Sequence, residues 1–150
     1  MISEKDLILD ELHFDEEIPL KILRKEKHRV IKFRGKRTDN GEFVYGFYVA
    51  IDTHQIFTGS EVHEVEPDTV GQYIGLQDKH GVEIYEGDIV MAWFPELPKN
   101  MRVVEKIIFE DGAFGCGDYS LKLLVKNTLE VVDDPNAVTG VVLIKHDEVE

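Results

Sequence analysis

Residues 70–90 read VGQYIGLQDKHGVEIYEGDIV and are the most informative stretch of the chain. It contains two strand-like runs, residues 74–77 and 82–85, separated by the Asp-Lys-His-Gly sequence of residues 78–81. Such a sequence is typical of a tight turn, and Gly81 can adopt the positive φ that the turn requires without steric cost. The stretch therefore predicts two adjacent strands joined by a short turn.

The end of this stretch supplies the expected core. A Glu-Gly-Asp corner at residues 86–88 ends the second run, and Asp88 is expected to cap the turn that leads into the next strand. Ile84 and Ile89, on the two sides of this corner, are the predicted core residues, with Tyr73 as a further candidate.

The rest of the chain beyond residue 29 also consists of short β-prone runs separated by Gly, Pro, Asn and Asp. The Asn40-Gly41 pair predicts a hairpin, and Pro95 and Pro98 predict a surface loop at residues 95–100. This spacing favours a mainly β, compact antiparallel body, barrel-like or sandwich-like, over alternating strands and helices. The other predicted strands are residues 30–33, 43–51, 55–58, 71–75, 89–94, 102–109, 121–125 and 138–144.

Residues 1–29 are predicted to form a separate, partly helical N-terminal extension that precedes a β domain of residues 30–150. Ser3 followed by Asp6 resembles a capping box, and a helix over residues 4–13 would place apolar side chains on one face. A helix this short is unstable alone, so its apolar face must dock. We expect it to dock on a second copy and form a homo-oligomer, with docking on the chain's own β body as the alternative.

Charge is segregated along the chain, which has 150 residues and a net charge of −13. Residues 21–37 hold nine of the 17 Lys and Arg residues and one acid, whereas residues 38–150 hold 22 acids against seven bases. An acidic body repels nucleic acid and anionic membranes at long range. Any contact with such polyanions would therefore centre on the basic stretch, residues 21–37.

Composition predicts a folded cytoplasmic protein that does not engage membranes. The apolar content of 43% is that of a globular domain. No apolar run approaches the roughly 18–20 residues of a membrane span, and the acids among the first residues are foreign to a signal peptide. The single Cys116 cannot form an internal disulfide, which fits a reducing compartment.

Residues capable of catalysis or metal binding form no recognisable motif. None of the six His residues has the spacing of metal ligands, and a single cysteine nearly excludes a structural zinc site. Cys116 has Asp118 nearby, and negative charge raises the pKa of a thiol, so we expect Cys116 to be buried or inert. The carboxylates cluster at strand ends and turns, where they are normally solvated. We therefore expect no catalytic residue, no metal, no cofactor and no enzymatic activity.

The best candidate for a recognition surface combines basic and aromatic residues: Arg34, Lys36 and Arg37 with Phe43 and Tyr45. Basic side chains beside aromatic rings suit phosphate contact and base stacking. They also suit bidentate pairing with carboxylates of this acidic chain itself. We favour the internal pairing.

Two blocks of the sequence resemble the YopX family of phage and prophage proteins. Residues 31–46, IKFRGKRTDNGEFVYG, resemble the opening of that family, and residues 70–90 are similar to its central block. Residues 110–114, EDGAF, look like a third and weaker block. The chain departs from the family in Phe43, where Trp is common, and in the extension of residues 1–29. The resemblance implies a mainly β fold and a source in a temperate phage or prophage of Gram-positive bacteria, and it implies no catalytic residues.

These observations favour a non-enzymatic phage accessory protein that binds a host or phage macromolecule, with a protein as the favoured partner. The alternative is a nucleic-acid-binding protein of small-barrel type that uses the basic stretch, residues 21–37, as its contact surface. That alternative rests on analogy between folds alone.

Overall fold

The computed structural model describes residues 28–134 and 136–144, which form a mainly β structure. Within these residues there are twelve strands and two 3₁₀ turns, Pro67–Thr69 and Leu121–Leu123. The helix predicted over residues 4–13, and the self-association expected of it, lie outside the described residues.

The first sheet is antiparallel, and its six strands lie in the order β4-β3-β2-β1-β5-β6. The predicted hairpin at Asn40-Gly41 joins β1 to β2, and Gly41 has a positive φ of 74° there. The strands of this sheet are β1 (Phe33–Lys36), β2 (Phe43–Ala50), β3 (His54–Phe57), β4 (Val62–Glu64), β5 (Gly71–Gln77) and β6 (Glu83–Tyr85).

The second sheet is also antiparallel and is built around β8, its longest strand. One side of β8 pairs with β7, while the other side pairs with β12 along its first half and with β9 along its second half. Strand β11 extends the sheet beyond β7, and β10 extends it beyond β9. The strands are β7 (Ile89–Ala92), β8 (Met101–Glu110), β9 (Ala113–Cys116), β10 (Tyr119–Ser120), β11 (Glu130–Val132) and β12 (Gly140–Leu143).

Most predicted strands are confirmed. The strand predicted over residues 30–33 is wrong for three of its four residues, because β1 runs from Phe33 to Lys36. The loop predicted at residues 95–100 lies between β7 and β8. The strand predicted over residues 121–125 is wrong: the Ser120 hydroxyl accepts the Lys122 N–H at 3.2 Å, and this capping starts a 3₁₀ turn. Four short strands were not predicted: β4, β9, β10 and β11.

Neither sheet closes into a barrel within residues 28–134 and 136–144, so the barrel expectation is corrected to two antiparallel sheets. The end of β4 does reach back to the end of β1, through a bridge between Arg37 and Val65 and a 2.9 Å hydrogen bond from the Glu66 N–H to the Lys36 carbonyl. This contact is a single bridge beyond the ends of both strands. The sheet therefore bends without becoming a barrel.

The turn predicted in the central block is confirmed. Gly81 has a φ of 86°, and its N–H donates to the Asp78 carbonyl oxygen at 2.9 Å. Strands β5 and β6 pair on the two sides of the turn, with Gln77 opposite Glu83. The sequence pattern was sufficient here because a tight turn is determined by the residues within it.

The predicted core residues are only partly correct. Ile84 is fully buried, but Ile89 and Tyr73 are half-buried. Side chains alternate along β7, and it is Val90 rather than Ile89 that points into the core. The main core lies between β6 and the second sheet, and it consists of Ile84, Val90, Ala92, Phe94, Val103, Ile107, Cys116 and Leu129.

A buried carboxylate, Asp78, joins the central turn to the second sheet. Its Oδ1 accepts the N–H groups of His80 and Val82 at 2.8 and 2.9 Å, and its Oδ2 accepts the Val131 N–H of β11 at 3.1 Å. Burial alone would raise the pKa of Asp78, but the three N–H donors outweigh it and hold the pKa below its usual range.

We expect the stability difference between the wild type and the Asp78→Asn variant to shrink as the pH falls. The folded-state pKa is lower than the unfolded one, so ionised Asp78 stabilises the fold fully above the unfolded pKa of about 4. That contribution is lost as the pH falls through the folded-state pKa. Denaturant unfolding of both proteins between neutral and strongly acidic pH measures the difference. The exposed Asp118, changed to Asn, is the control, and a difference that does not vary with pH would contradict the prediction.

Candidate functional site

The β1–β2 hairpin brings four of the five predicted site residues together on one side of the first sheet. Arg34 lies directly opposite Tyr45, and Lys36 lies directly opposite Phe43. Residues two apart on a strand share a face, so these four side chains form one group. Arg37 lies just beyond β1, at the start of the hairpin loop.

Arg34 is held by an internal ion pair, as the sequence favoured. Its Nη2 donates to Asp88 Oδ1 at 2.9 Å, and the two side chains are only 13% and 12% exposed. The guanidinium also lies over the rings of Phe43, at 4.3 Å, and Tyr85, at 5.0 Å. Its buried Nε has no hydrogen-bond partner among the described residues. Arg34 is therefore enclosed and is not available as a free phosphate ligand.

The partner carboxylate, Asp88, forms the corner between the two sheets. Its Oδ2 accepts the Tyr85 N–H at 2.8 Å, which confirms that it caps the turn, and its own carbonyl accepts the Ile107 N–H of β8 at 2.8 Å. Arg34 and Asp88 are 54 positions apart. No pattern in the sequence predicted this ion pair, although each of the two residues lies in one of the blocks that resemble the YopX family.

The other two basic candidates differ from each other. Arg37 pairs with Asp39 at 2.7 Å on the exposed hairpin loop, and this hydrogen bond raises the pKa of Arg37 and lowers that of Asp39. The Lys36 ammonium lies 5.3 Å from the centre of the Phe43 ring and has no ion pair among the described residues. The predicted surface thus retains one basic side chain outside an ion pair.

A groove of about 520 Å³ runs between the first sheet and β11 of the second. Tyr45 and Tyr85 form an edge-on pair on one wall, with ring centres 5.5 Å apart, and Val131 and Asp133 line the other wall. Glu83, also in the wall, accepts the Tyr85 hydroxyl at 3.0 Å and pairs with Lys32. Aromatic rings and carboxylates together suit a cationic group.

Contacts in the groove shift the pKa values of two residues, so that Glu83 is ionised and Tyr85 is protonated. The hydrogen bond from Lys32 lowers the pKa of Glu83, so this carboxylate is ionised at neutral pH. Burial, together with the hydrogen bond to Glu83, strongly raises the pKa of Tyr85, which therefore keeps its proton as a donor.

Three exposed apolar side chains form a row across the same sheet: Phe47 on β2, Phe57 on β3 and Val62 on β4. They lie directly opposite one another, and they are 66%, 41% and 55% exposed, respectively. We call Phe47, Phe57 and Val62 the apolar row. The apolar row is not among the predicted site residues. The alternation of Tyr45, Phe47 and Val49 along β2 is the sequence signal for its first member.

The remaining candidates for chemistry are buried or contact other residues of the chain. Cys116 is fully buried, as predicted, and burial, with a smaller contribution from Glu105, raises its pKa to about 12. His54 bonds the Tyr48 hydroxyl through Nδ1, and His63 bonds Glu61. The part of the chain that the structure describes contains no group of three or more His, Cys, Asp or Glu residues arranged to hold a metal ion.

One comparison with known proteins agrees with the resemblance found in the sequence. Within the described residues, no helix has both the length and the apolar character needed to cross a membrane. The search of curated proteins found no match. The family model described as YopX protein matches residues 32–142, which include all five predicted site residues, the central block and all but the first residue of the opening block. The chain therefore belongs to the YopX protein family.

Proposed function

We propose that this protein is a non-enzymatic, protein-binding accessory factor of a phage or prophage, acting in the cytoplasm of the bacterial host. Its contact surface is the apolar row. The observation that carries the proposal is the direct alignment of Phe47, Phe57 and Val62 across three strands, with more than 40% of each side chain exposed.

The apolar row is not needed to build the core. Ile56, which alternates with Phe57 on β3, is fully buried on the opposite face. Tyr48 lies opposite Ile56 and packs against Phe33 and His54 on that face. The outward residues of these strands therefore carry apolar surface that the core of the described residues does not use. Contiguous apolar patches and exposed aromatic residues are typical of protein–protein contact sites.

The nucleic-acid alternative has less support among the described residues. Lys32, Arg34 and Arg37 are all engaged in ion pairs with carboxylates of the chain. The barrel on which the analogy rested is replaced by two sheets that stay open across the described residues. A groove that binds single strands needs free basic side chains along its path. Of Lys32, Arg34, Lys36 and Arg37, only Lys36 has no ion pair among the described residues.

The non-enzymatic part of the proposal is supported by the roles of the reactive groups. Asp88 is committed to Arg34 and to the Tyr85 backbone, Cys116 is buried in the core, and Tyr85 is held by Glu83. A general acid, base or nucleophile must reach a substrate atom, and these groups are occupied by the protein itself.

Phe47→Ser should strongly reduce capture of the partner while leaving the fold intact. Tagged full-length protein is used to capture proteins from host lysate, with and without nuclease. We expect the variant to recover about tenfold less partner or worse, because aromatic residues at the centre of an interface contribute most to affinity. Treatment with nuclease should have no effect on the wild type.

Two further variants are compared with it: Val62→Ser, in the apolar row, and the matched control Val141→Ser, at a similarly exposed valine on β12. Only the first should weaken capture. Wild-type recovery by the Phe47→Ser protein would contradict the proposal, and loss of capture after nuclease treatment would favour nucleic acid as the partner.

A further inference from the structure

The groove and the apolar row form one continuous surface. Tyr45 lines the groove, and it lies two positions before Phe47 on β2 and is exposed like it. Strand alternation places the two rings on the same side of the sheet. A partner that covers the apolar row therefore also reaches the mouth of the groove.

Charge in the groove is negative and partly uncompensated. Arg34 is neutralised by Asp88, and Lys32 is neutralised by Glu83. Asp133, on the opposite wall, is exposed and has no ion pair among the described residues. The whole chain carries a net charge of −13, so the surrounding field does not offset this carboxylate.

The groove wall suits a long cationic side chain in particular. Tyr45 offers a ring for cation–π contact, Asp133 offers a carboxylate, and Val131 and Val132 offer an apolar wall for an aliphatic stem. An Arg or Lys side chain combines a charged head with such a stem.

We infer that the partner binds through a segment in which a basic residue adjoins apolar residues. Its Arg or Lys enters the groove between Tyr45 and Asp133, and its apolar residues cover the apolar row. This inference rests on the proposed function and names the chemistry of the partner. A second copy of this chain, which carries its own basic stretch at residues 21–37, is the alternative occupant.

Selection from a library of random dodecapeptides tests this inference with the full-length protein as bait. Peptides that also bind the Phe47→Ser variant are removed by counter-selection. We expect the remaining peptides to be enriched in Arg or Lys beside aromatic or aliphatic residues. The affinity of the resynthesised peptides should fall about fivefold in Asp133→Asn, the loss expected of one exposed ion pair.

Glu110→Gln removes the same charge from an exposed position at the end of β8 and serves as the matched control; it should leave the peptide affinity nearly unchanged.

Equal losses in the two variants would show non-specific attraction and overturn the inference. Selected peptides without basic residues would also overturn it but leave the proposed function standing. A failure to select any peptide that depends on Phe47 would overturn it too, and the lysate capture judges the proposed function separately. Sedimentation that shows a wild-type dimer dissolved by Phe47→Ser would assign the surface to a second copy instead.

Discussion

Asp88→Ala is expected to destabilise the protein by about 3–5 kcal/mol, the cost of removing one partner of a buried ion pair. The change leaves the Arg34 guanidinium, only 13% exposed, without its carboxylate, and it also removes the acceptor of the Tyr85 N–H. Denaturant unfolding followed by the fluorescence of the single Trp93 measures the loss.

Two further variants determine whether the loss arises from the unpaired charge. Asp39→Ala breaks the exposed pair with Arg37 and should produce no measurable loss, because exposed ion pairs contribute little. In the double variant Arg34→Met with Asp88→Ala, the loss should be smaller than the sum of the single losses, since no guanidinium then remains unpaired. If Asp88→Ala is as stable as Asp39→Ala, the ion pair does not hold the sheets together.

Gly71→Ala is expected to cost about 3 kcal/mol, at the upper end of the range for overpacked sites. A Cβ at Gly71 would lie 2.3 Å from the carbonyl oxygen of Glu86, and this backbone atom cannot rotate away as a side chain can. This clash lies next to the 2.9 Å hydrogen bond from the Glu86 N–H to the Gln72 carbonyl, where β5 adjoins the corner at residues 86–88. The same unfolding measurement, with circular dichroism as a check on the β content, records the effect.

The matched control for this prediction is Gly115→Ala, also in a strand. Its Cβ would approach the carbonyl oxygens of Gly117 and Tyr119 at 3.3 Å, a contact that small shifts can relieve. We expect it to be clearly more stable than Gly71→Ala. Equal stability of the two variants would mean that β5 can move away from Glu86 and that the corner is not rigid.

Both large effects concern the place where the two family-like blocks meet. Arg34 comes from the first block, and Gly71 and Asp88 come from the central block. Arg34 and Gly71 are paired across β1 and β5, and Asp88 carries the chain from the first sheet into the second. In this chain the two blocks thus largely form the corner that connects the two sheets. The proposed contact surface lies beside this corner, on β2, β3 and β4.

The candidate site could be predicted only in part. The hairpin pattern placed Arg34, Lys36, Phe43 and Tyr45 together, and the acidic composition favoured internal pairing of the basic residues, which the structure shows for Arg34 and Arg37. The identity of the Arg34 partner could not be predicted, because any of many carboxylates satisfies the same chemistry. The apolar row was missed for a related reason: its members come from three strands, and nothing within one strand indicates which residues lie opposite it.

Some features depend only on neighbouring residues and could be predicted from the sequence: the mainly β content, the turn with Gly81 at positive φ, and the cap at Asp88. The buried face of each strand and the pairing of the strands depend on contacts between distant parts of the chain. Ile89 and Val90 are equally apolar, and packing against β6 and β8 selects Val90. Alternation has a period of two residues, so a local pattern fixes two opposite faces but cannot say which one meets the core. Long-range strand pairing determines which face is buried, and it therefore also determines that the apolar row is exposed.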